Sequence, residues 1–434
     1  MNRQFWVYGF VLLAAMLLNA QSAKWVASES VVNAMAGRSA HFVELLRRAE
    51  AGDAHAQFRV GNAYQTGTGV AKDYAEAARW CRQAAQQGLA EGQNCIGFFY
   101  QHGMGVPKDD GEASRWFDRA AEQKFTVAQY NLGYMYQYGE GVPLDYVRAA
   151  DLYGQAAAKG FARARNQLGL AYRAGTGVPK NLAEAFKLFH LAAEQGEPVA
   201  QNNLGRMYFS GEGTPRNYPE ALKWFLLAAS RGIIEASYYA GYMYESGNGV
   251  HRDLAKAAEL YRTAAEGGFV IAQVELAFLY KKGKGVQQDD FEAARWFQRA
   301  AEQGHPIAEN AIGYMYYQGR CVRRDYRQAA EWFLKAAEQN DAAAELNLGV
   351  LYQGGLGVPL NYSEAYKWFT LAGQGGLTES KRLLKELSQI ITKTQLRDGQ
   401  ARVSDWVSHH NDPALSAQKA EGGVLNSYVS TRLP

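Results

Sequence analysis

Apolar positions in this chain fall into two helical stripes, and the pair of stripes returns every 36 residues. Stepping by 36 from Tyr64 gives Tyr100, Tyr136, Tyr172, Tyr208, Tyr244, Tyr280, Tyr316 and Tyr352, with no step varying. Gly61 keeps the same step with one substitution, Ala277, and Gly67 keeps it with none. In the first unit Ala56, Val60 and Tyr64 stand at i, i+4 and i+8, which predicts a helix A from about Ala54 to Thr66. The Ala56 position stays Ala or Gly in every unit, so a second helix can approach closely. That helix B carries Ala77, Trp80, Cys81, Ala84 and Ala85 on one stripe, and Gly88 closes it. Gly67-Thr68-Gly69-Val70 joins the two, its glycines marking a helix end and a turn that needs positive φ. Asp73 stands three residues before Glu76, a capping-box spacing. The cap position is Asp or Asn in all nine units.

Nine units cover 53–376, about three quarters of the chain. No unit can bury both stripes alone, so the length of 434 residues is one array of neighbours rather than three domains. The remaining segments divide as follows. Residues 1–22 are expected to be an export signal: Arg3 precedes Phe5–Leu18, an uncharged run of 14 residues, short of the roughly 18 that span a membrane. Cleavage fits after Ala20 or after Ser22, and an uncleaved anchor is the alternative. Residues 23–40 form a linker. Residues 41–52 keep helix-B phase through Leu45, Ala49 and Gly52 and are expected to cap the array. Residues 377–410 form the C-terminal capping helices, over Thr378 to about Ile391 and Gln395–Trp406, and 411–434 a flexible tail.

Composition narrows the chemistry. The 46 Lys+Arg nearly cancel the 43 Asp+Glu, which excludes a strongly basic nucleic-acid binder. Three cysteines exclude a disulfide-built scaffold. Cys81 and Cys95 lie seven residues either side of the Gly88 turn, so an antiparallel helix pair places them at one height. Cys81 also stands where later units carry Phe or Tyr, which leaves space. The pair is a disulfide candidate with Cys321 left free; two buried thiols are the alternative. The glycine loops lack a following Lys-Ser/Thr and follow no strand, so they are not nucleotide loops. Ser416-Ala417-Gln418-Lys419 spells S-x-x-K without S-D-N or K-T-G partners. His409-His410 lacks H-E-x-x-H, and no metal site is expected.

Unit three reads Ala128, Leu132-Gly133, Tyr136, Gly139, Gly141-Val142, Asp145, Ala149, Tyr153, Ala156-Ala157 and Gly160. This pattern resembles the Sel-one-like repeat family of the tetratricopeptide superfamily. Departures are local: Cys321 replaces the second loop glycine, Leu152, Leu188 and Leu260 replace tryptophan, and Lys124 and Asn340 replace the closing glycine. The resemblance implies an all-α, right-handed α/α superhelical solenoid of nine helix-turn-helix repeats with helical caps. It implies a non-catalytic scaffold without a cofactor, often exported, that binds a protein or peptide partner.

By the same resemblance the concave wall comes from helix A. Its inward positions match His55, Phe58, Asn62, Gln65 and Thr66 of unit one. Candidate partner-binding residues there are Asn94, Tyr130, Tyr134, Tyr138, Asn166, Asn202, Arg206, Tyr238, Tyr242 and Tyr314. The other reading of these tyrosines is packing between units. A periplasmic or secreted location is expected, with no nucleic acid bound and no stable membrane insertion after signal removal. Two alternatives stay open: a secreted protein that engages host factors, and a hydrolase of β-lactam-like or cell-wall substrates, because some cysteine-rich relatives have been proposed to act on β-lactams.

Overall fold

The computed structural model describes residues 41–410. The expected signal (1–22), linker (23–40), tail (411–434) and S-x-x-K motif lie outside the described residues. Among the described residues are 21 helices and no strand, arranged as an all-α solenoid of tandem repeats. The chain divides into two compact units, Met1–Ala200 and Gln201–Pro434.

The first unit holds α1 (41–50), α2 (Ala54–Thr66), α3 (Tyr74–Gln86), α4 (Ala90–His102), α5 (Asp110–Glu122), α6 (Thr126–Tyr138), α7 (Tyr146–Ala158), α8 (Ala162–Ala174) and α9 (Leu182–Glu194), and ends within α10 (Pro198–Ser210). The second continues with α11 (Tyr218–Ser230), α12 (Ile234–Ser246), α13 (Leu254–Glu266), α14 (Val270–Lys282), α15 (Asp290–Glu302), α16 (Pro306–Gln318), α17 (Tyr326–Ala337), α18 (Ala342–Gly354), α19 (Tyr362–Gln374), α20 (Glu379–Leu387) and α21 (Lys393–His410). Repeat one pairs α2 with α3, and repeat nine pairs α18 with α19.

The caps work as their spacing predicts. The Asp73 carboxylate accepts from the backbone N–H of Ala75 and Glu76, and Asp145 accepts from Arg148. Helix A ends on a left-handed glycine such as Gly67, φ 77°. Lys124 and Asn340 take the same left-handed conformation as the closing glycines they replace, at φ 61° and 62°.

Two glycines that recur in most repeats have steric roles. Within a repeat, the aromatic of helix B lies on the bare backbone of helix A. A Cβ at Gly133 would stand 2.9 Å from the Tyr153 ring, which is buried. Between repeats, the second loop glycine touches the backbone that opens the preceding helix B. A Cβ at Gly141, φ 68°, would stand 2.1 Å from the Asp110 carbonyl oxygen. A glutamine relay adds polar pairing across the same seam. Gln123 Nε2 donates to Gln93 Oε1 at 2.8 Å and to the Gly88 carbonyl at 2.9 Å. Gln339 Nε2 repeats this, donating to Glu309 Oε2 at 2.9 Å and to the Gly304 carbonyl at 3.0 Å. In repeat nine the donor position is Gly375, and Glu345 faces no glutamine.

The two ends close differently. In the first unit Leu45 and Ala49 of α1 bury against Ala56, Val60 and Trp80. In the second, α21 packs on α19, its Gly399 within Cβ reach of the Tyr366 ring at 2.8 Å. Trp406 meets Trp368 edge-on at 4.8 Å, and the ammonium of Lys367 lies 4.0 Å from the Trp368 ring centre. Glu364 neutralises Lys367 at 2.8 Å and Arg402 at 2.6 Å. A cationic side chain this enclosed persists because a carboxylate and two ring faces receive it.

Candidate functional site

Helix A of each repeat presents one face to the next repeat and a neighbouring face outward, and this divides the sequence candidates. In the first unit, Tyr134 and Tyr138 of α6 pack ring on ring at 4.5 Å, and Tyr138 is 54% exposed. On α4, Phe98 and His102 stack at 4.1 Å at the equivalent positions. These two helices are tied together by Asn131 Nδ2, which donates to Asn94 Oδ1 at 3.0 Å. Asn94 therefore serves the helix–helix contact. Tyr130 packs against Tyr153 and Phe161, at 5.8 and 5.3 Å, so it belongs between repeats. Desolvation raises its hydroxyl pKa, and that of Tyr134.

Three candidates are buried. Asn166 is 6% exposed, Asn202 3% and Tyr238 8%. All three occupy the Phe58 phase. In the second unit Asn202 Nδ2 donates to Glu235 Oε2 at 2.8 Å, and Tyr238 packs on Tyr261 and Phe269. Arg206 pairs with the same Glu235 at 3.2 Å and lies 5.9 Å from the Tyr239 ring centre. Tyr242 packs half-buried against the core. Tyr314 is exposed, stacks on Tyr317 at 6.2 Å, and accepts a hydrogen bond from Gln318 Nε2.

The cysteines take two different glycine-linked positions. Cys81 and Cys95 are joined, with Cα atoms 5.8 Å apart. A Cβ on Gly61 would lie 2.7 Å from Cys81 Sγ, so the bridge begins where other repeats seat an aromatic ring. Cys321 is free and adopts φ 63°. Among the described residues no group of three His, Cys, Asp or Glu side chains could hold a metal ion. His409 and His410 turn Nδ1 toward the Asp405 and Trp406 carbonyls, and His410 stacks on Trp406 at 3.8 Å.

Sequence reading missed a cleft of about 140 Å³ in the second unit. Phe278 and Lys281 of α14, Asp290 of α15, Asn310, Tyr314 and Gln318 of α16, and Arg320 and Cys321 of the following loop line it. Two signals pointed to it: the break in glycine phase at Cys321, and the basic loops on either side.

The Sel1 repeat model matches nine consecutive segments, from 54–89 to 342–377. A protective antigen of uropathogenic Escherichia coli strains, displaying an SLR fold, is 31% identical; the match covers 87% of this chain and 88% of that one, with a TM-score of 0.55. A Sel1 repeat protein from Oxalobacter formigenes is 33% identical over 71% of this chain and 89% of that one, TM-score 0.53. No curated protein matches the chain in sequence. Sel1 repeat proteins are generally scaffolds for protein–protein interaction.

Proposed function

This chain belongs to the Sel1 repeat family, and on that premise we propose that it is an exported, non-catalytic scaffold that holds a protein or peptide partner on its helix-A face. The observation that carries this reading is the outward aromatic cluster of α4 and α6, whose rings pair with one another while the core beneath is already filled. Ring pairs of this kind offer rigid contact area, and aromatic anchors concentrate binding energy. The run from Arg3 to Leu18 supports a periplasmic or secreted location, and so does a Cys81–Cys95 bridge, which oxidising compartments preserve.

The test uses the full chain as bait on envelope extract, with mass spectrometry of what is retained. Tyr134→Ala with Tyr138→Ala is expected to lower capture roughly tenfold, a loss of about 1.4 kcal/mol, with far-UV circular dichroism unchanged. No protein enriched by the wild-type bait, or equal capture by a folded double variant, overturns the reading. A second reading, a secreted protein engaging host factors, draws on the protective antigen that is 31% identical. Fractionation into periplasm and medium separates the two.

A further inference from the structure

The cleft in the second unit opens at a seam where other repeats leave no room. At Gly285 and Gly357 an added Cβ would lie 2.1 and 2.3 Å from the backbone that opens the preceding helix B. Cys321 occupies this position in repeat eight and carries the Cβ that the others lack. The cleft lies where this loop meets the start of α15, lined by Cys321, Arg320 and Asp290.

The chemistry of the cleft is directional. Phe278, Ile307 and Met315 supply an apolar lining, and Asn310 an amide. Lys281 and Arg320 supply positive charge. Arg320 pairs with Asp290 at 2.7 Å, which leaves part of its planar donor fork for another acceptor. No carboxylate lies within ion-pair distance of the Lys281 ammonium among the described residues. Desolvation, then the like charges of Arg320 and Lys282, hold its pKa below the ordinary lysine range. The flanking loops extend the field. Residues 281–290 and 318–327 carry seven basic side chains against three acidic ones, in a chain whose net charge is only +3. Two of those acids, Asp289 and Asp325, are committed to capping α15 and α17.

We infer that this cleft and its basic loop edge dock an acidic segment of a protein partner, seating a Glu or Asp carboxylate between Lys281 and Arg320 and an apolar neighbour against Phe278, Ile307 and Met315. The inference rests on the scaffold reading above and names the chemistry of what is held. Asp290 inside the cleft disfavours a continuous phosphate backbone, so a peptide fits better than a nucleic acid. A mixed lining of this kind reads both charge and shape, and opposite charge speeds the encounter.

The cleft carries its own reporter, because Cys321 is the one thiol left beside the Cys81–Cys95 bridge. The test titrates the full chain with a fluorescein-labelled peptide of alternating Glu and Phe, with its Gln-for-Glu counterpart, and with labelled oligo-dT. The acidic peptide is expected to raise anisotropy and to slow iodoacetamide alkylation of Cys321 in proportion to the fraction of chain occupied. The Gln peptide should bind roughly tenfold more weakly. Lys281→Glu with Arg320→Glu should weaken the acidic peptide by about the same factor, while Lys180→Glu, an exposed lysine of the first unit, changes nothing. Unchanged alkylation of the wild-type chain, equal binding of the Gln peptide, or tighter binding of oligo-dT overturns the inference. The alkylation readout needs no variant to fold. The two readings fail separately: an extract that yields no partner removes the scaffold, and unprotected Cys321 removes only the cleft.

Discussion

Repeats two and three share a backbone plan with repeats seven and eight, yet they offer opposite surfaces. Helix caps, the 36-residue tyrosine and the aromatic of helix B recur in both. In repeats two and three the outward helix-A positions are paired rings, and residues 137–147 carry two acids and no base. In repeats seven and eight the loops are basic and a cleft opens beside Cys321. Buried positions differ as well. Where the first unit places a half-buried Phe125 and buried Gln93 and Gln129, the second places buried His305, Glu309 and Glu345. The framework thus tolerates a change of surface chemistry, and even of buried charge, so long as ring and cap stay in phase.

Four measurements test that contrast. The largest effect is expected at the loop glycine of repeat three. Gly141→Ala combines a left-handed φ of 68° with a Cβ 2.1 Å from a carbonyl oxygen. A loss of roughly 4 kcal/mol in urea unfolding is expected, from backbone strain plus overpacking. A loss under about 1 kcal/mol would mean the loop shifts as easily in repeat three as in repeat eight.

Next comes pH. Desolvation, and then Asp341, push the Glu345 carboxyl up to about 8, above its ordinary 4.5. Folding therefore favours the protonated form: its contribution is complete below pH 4.5 and is lost as pH rises through 8. Glu345→Gln should gain roughly 3 kcal/mol at pH 7.5 and nothing at pH 4. His305 acts at the other limb. Burial, with both ring nitrogens unpartnered, lowers its pKa from 6.5 to about 4. Its neutral form stabilises above pH 6.5, and that contribution is lost as pH falls through 4. Amide hydrogen exchange, corrected for intrinsic rates, should show α16–α19 weakening toward both limbs. The Gln93 and Gln129 seams of the first unit should stay level, and equal pH response in both places would refute the assignment.

Reduction follows. The bridge closes a loop with sequence separation 14, so breaking it should cost about 2 kcal/mol. The loss belongs to α2–α4 protection, with α14–α18 unchanged. The smallest effect is the reverse of the first. Cys321→Gly should gain about 1 kcal/mol by relieving a non-glycine left-handed residue. It should also shrink the cleft, read as weaker binding of the acidic peptide.

Local chemistry was legible in the sequence. The period, the Asp and Asn caps and the limits of α2 follow from spacing alone. The C-terminal cap was legible in kind but not in length. Sequence reading expects Gln395–Trp406, while α21 runs from Lys393 to His410. The helix extends because Trp406 docks on Trp368 and His410 stacks behind it. Outward and inward faces of helix A were not legible. Tyr130 and Tyr134 stand one turn apart on α6, and only Tyr130 meets Phe161, a residue of the closing turn 31 positions on. Which face of a tyrosine stripe is free depends on the neighbouring repeat, not on the stripe. Asn202 and Arg206 likewise converge on Glu235, a partner that no motif names.

The glycine seats carry a mechanical consequence. Tyr153 rests on a glycine of its own repeat, and Gly141 on the backbone of the repeat before it. Within each unit side-chain hydrogen bonds join neighbouring repeats, as between Gln101 and Glu140, 39 residues apart. Each repeat is held by its neighbours in this way, so tension on the chain meets one seam at a time. Stretching a single molecule should therefore give a sawtooth whose teeth each release about one repeat, on the order of 120 Å of contour at the reach of an extended backbone. The repeat holding Cys81 should give a shortened tooth until reductant restores its full length.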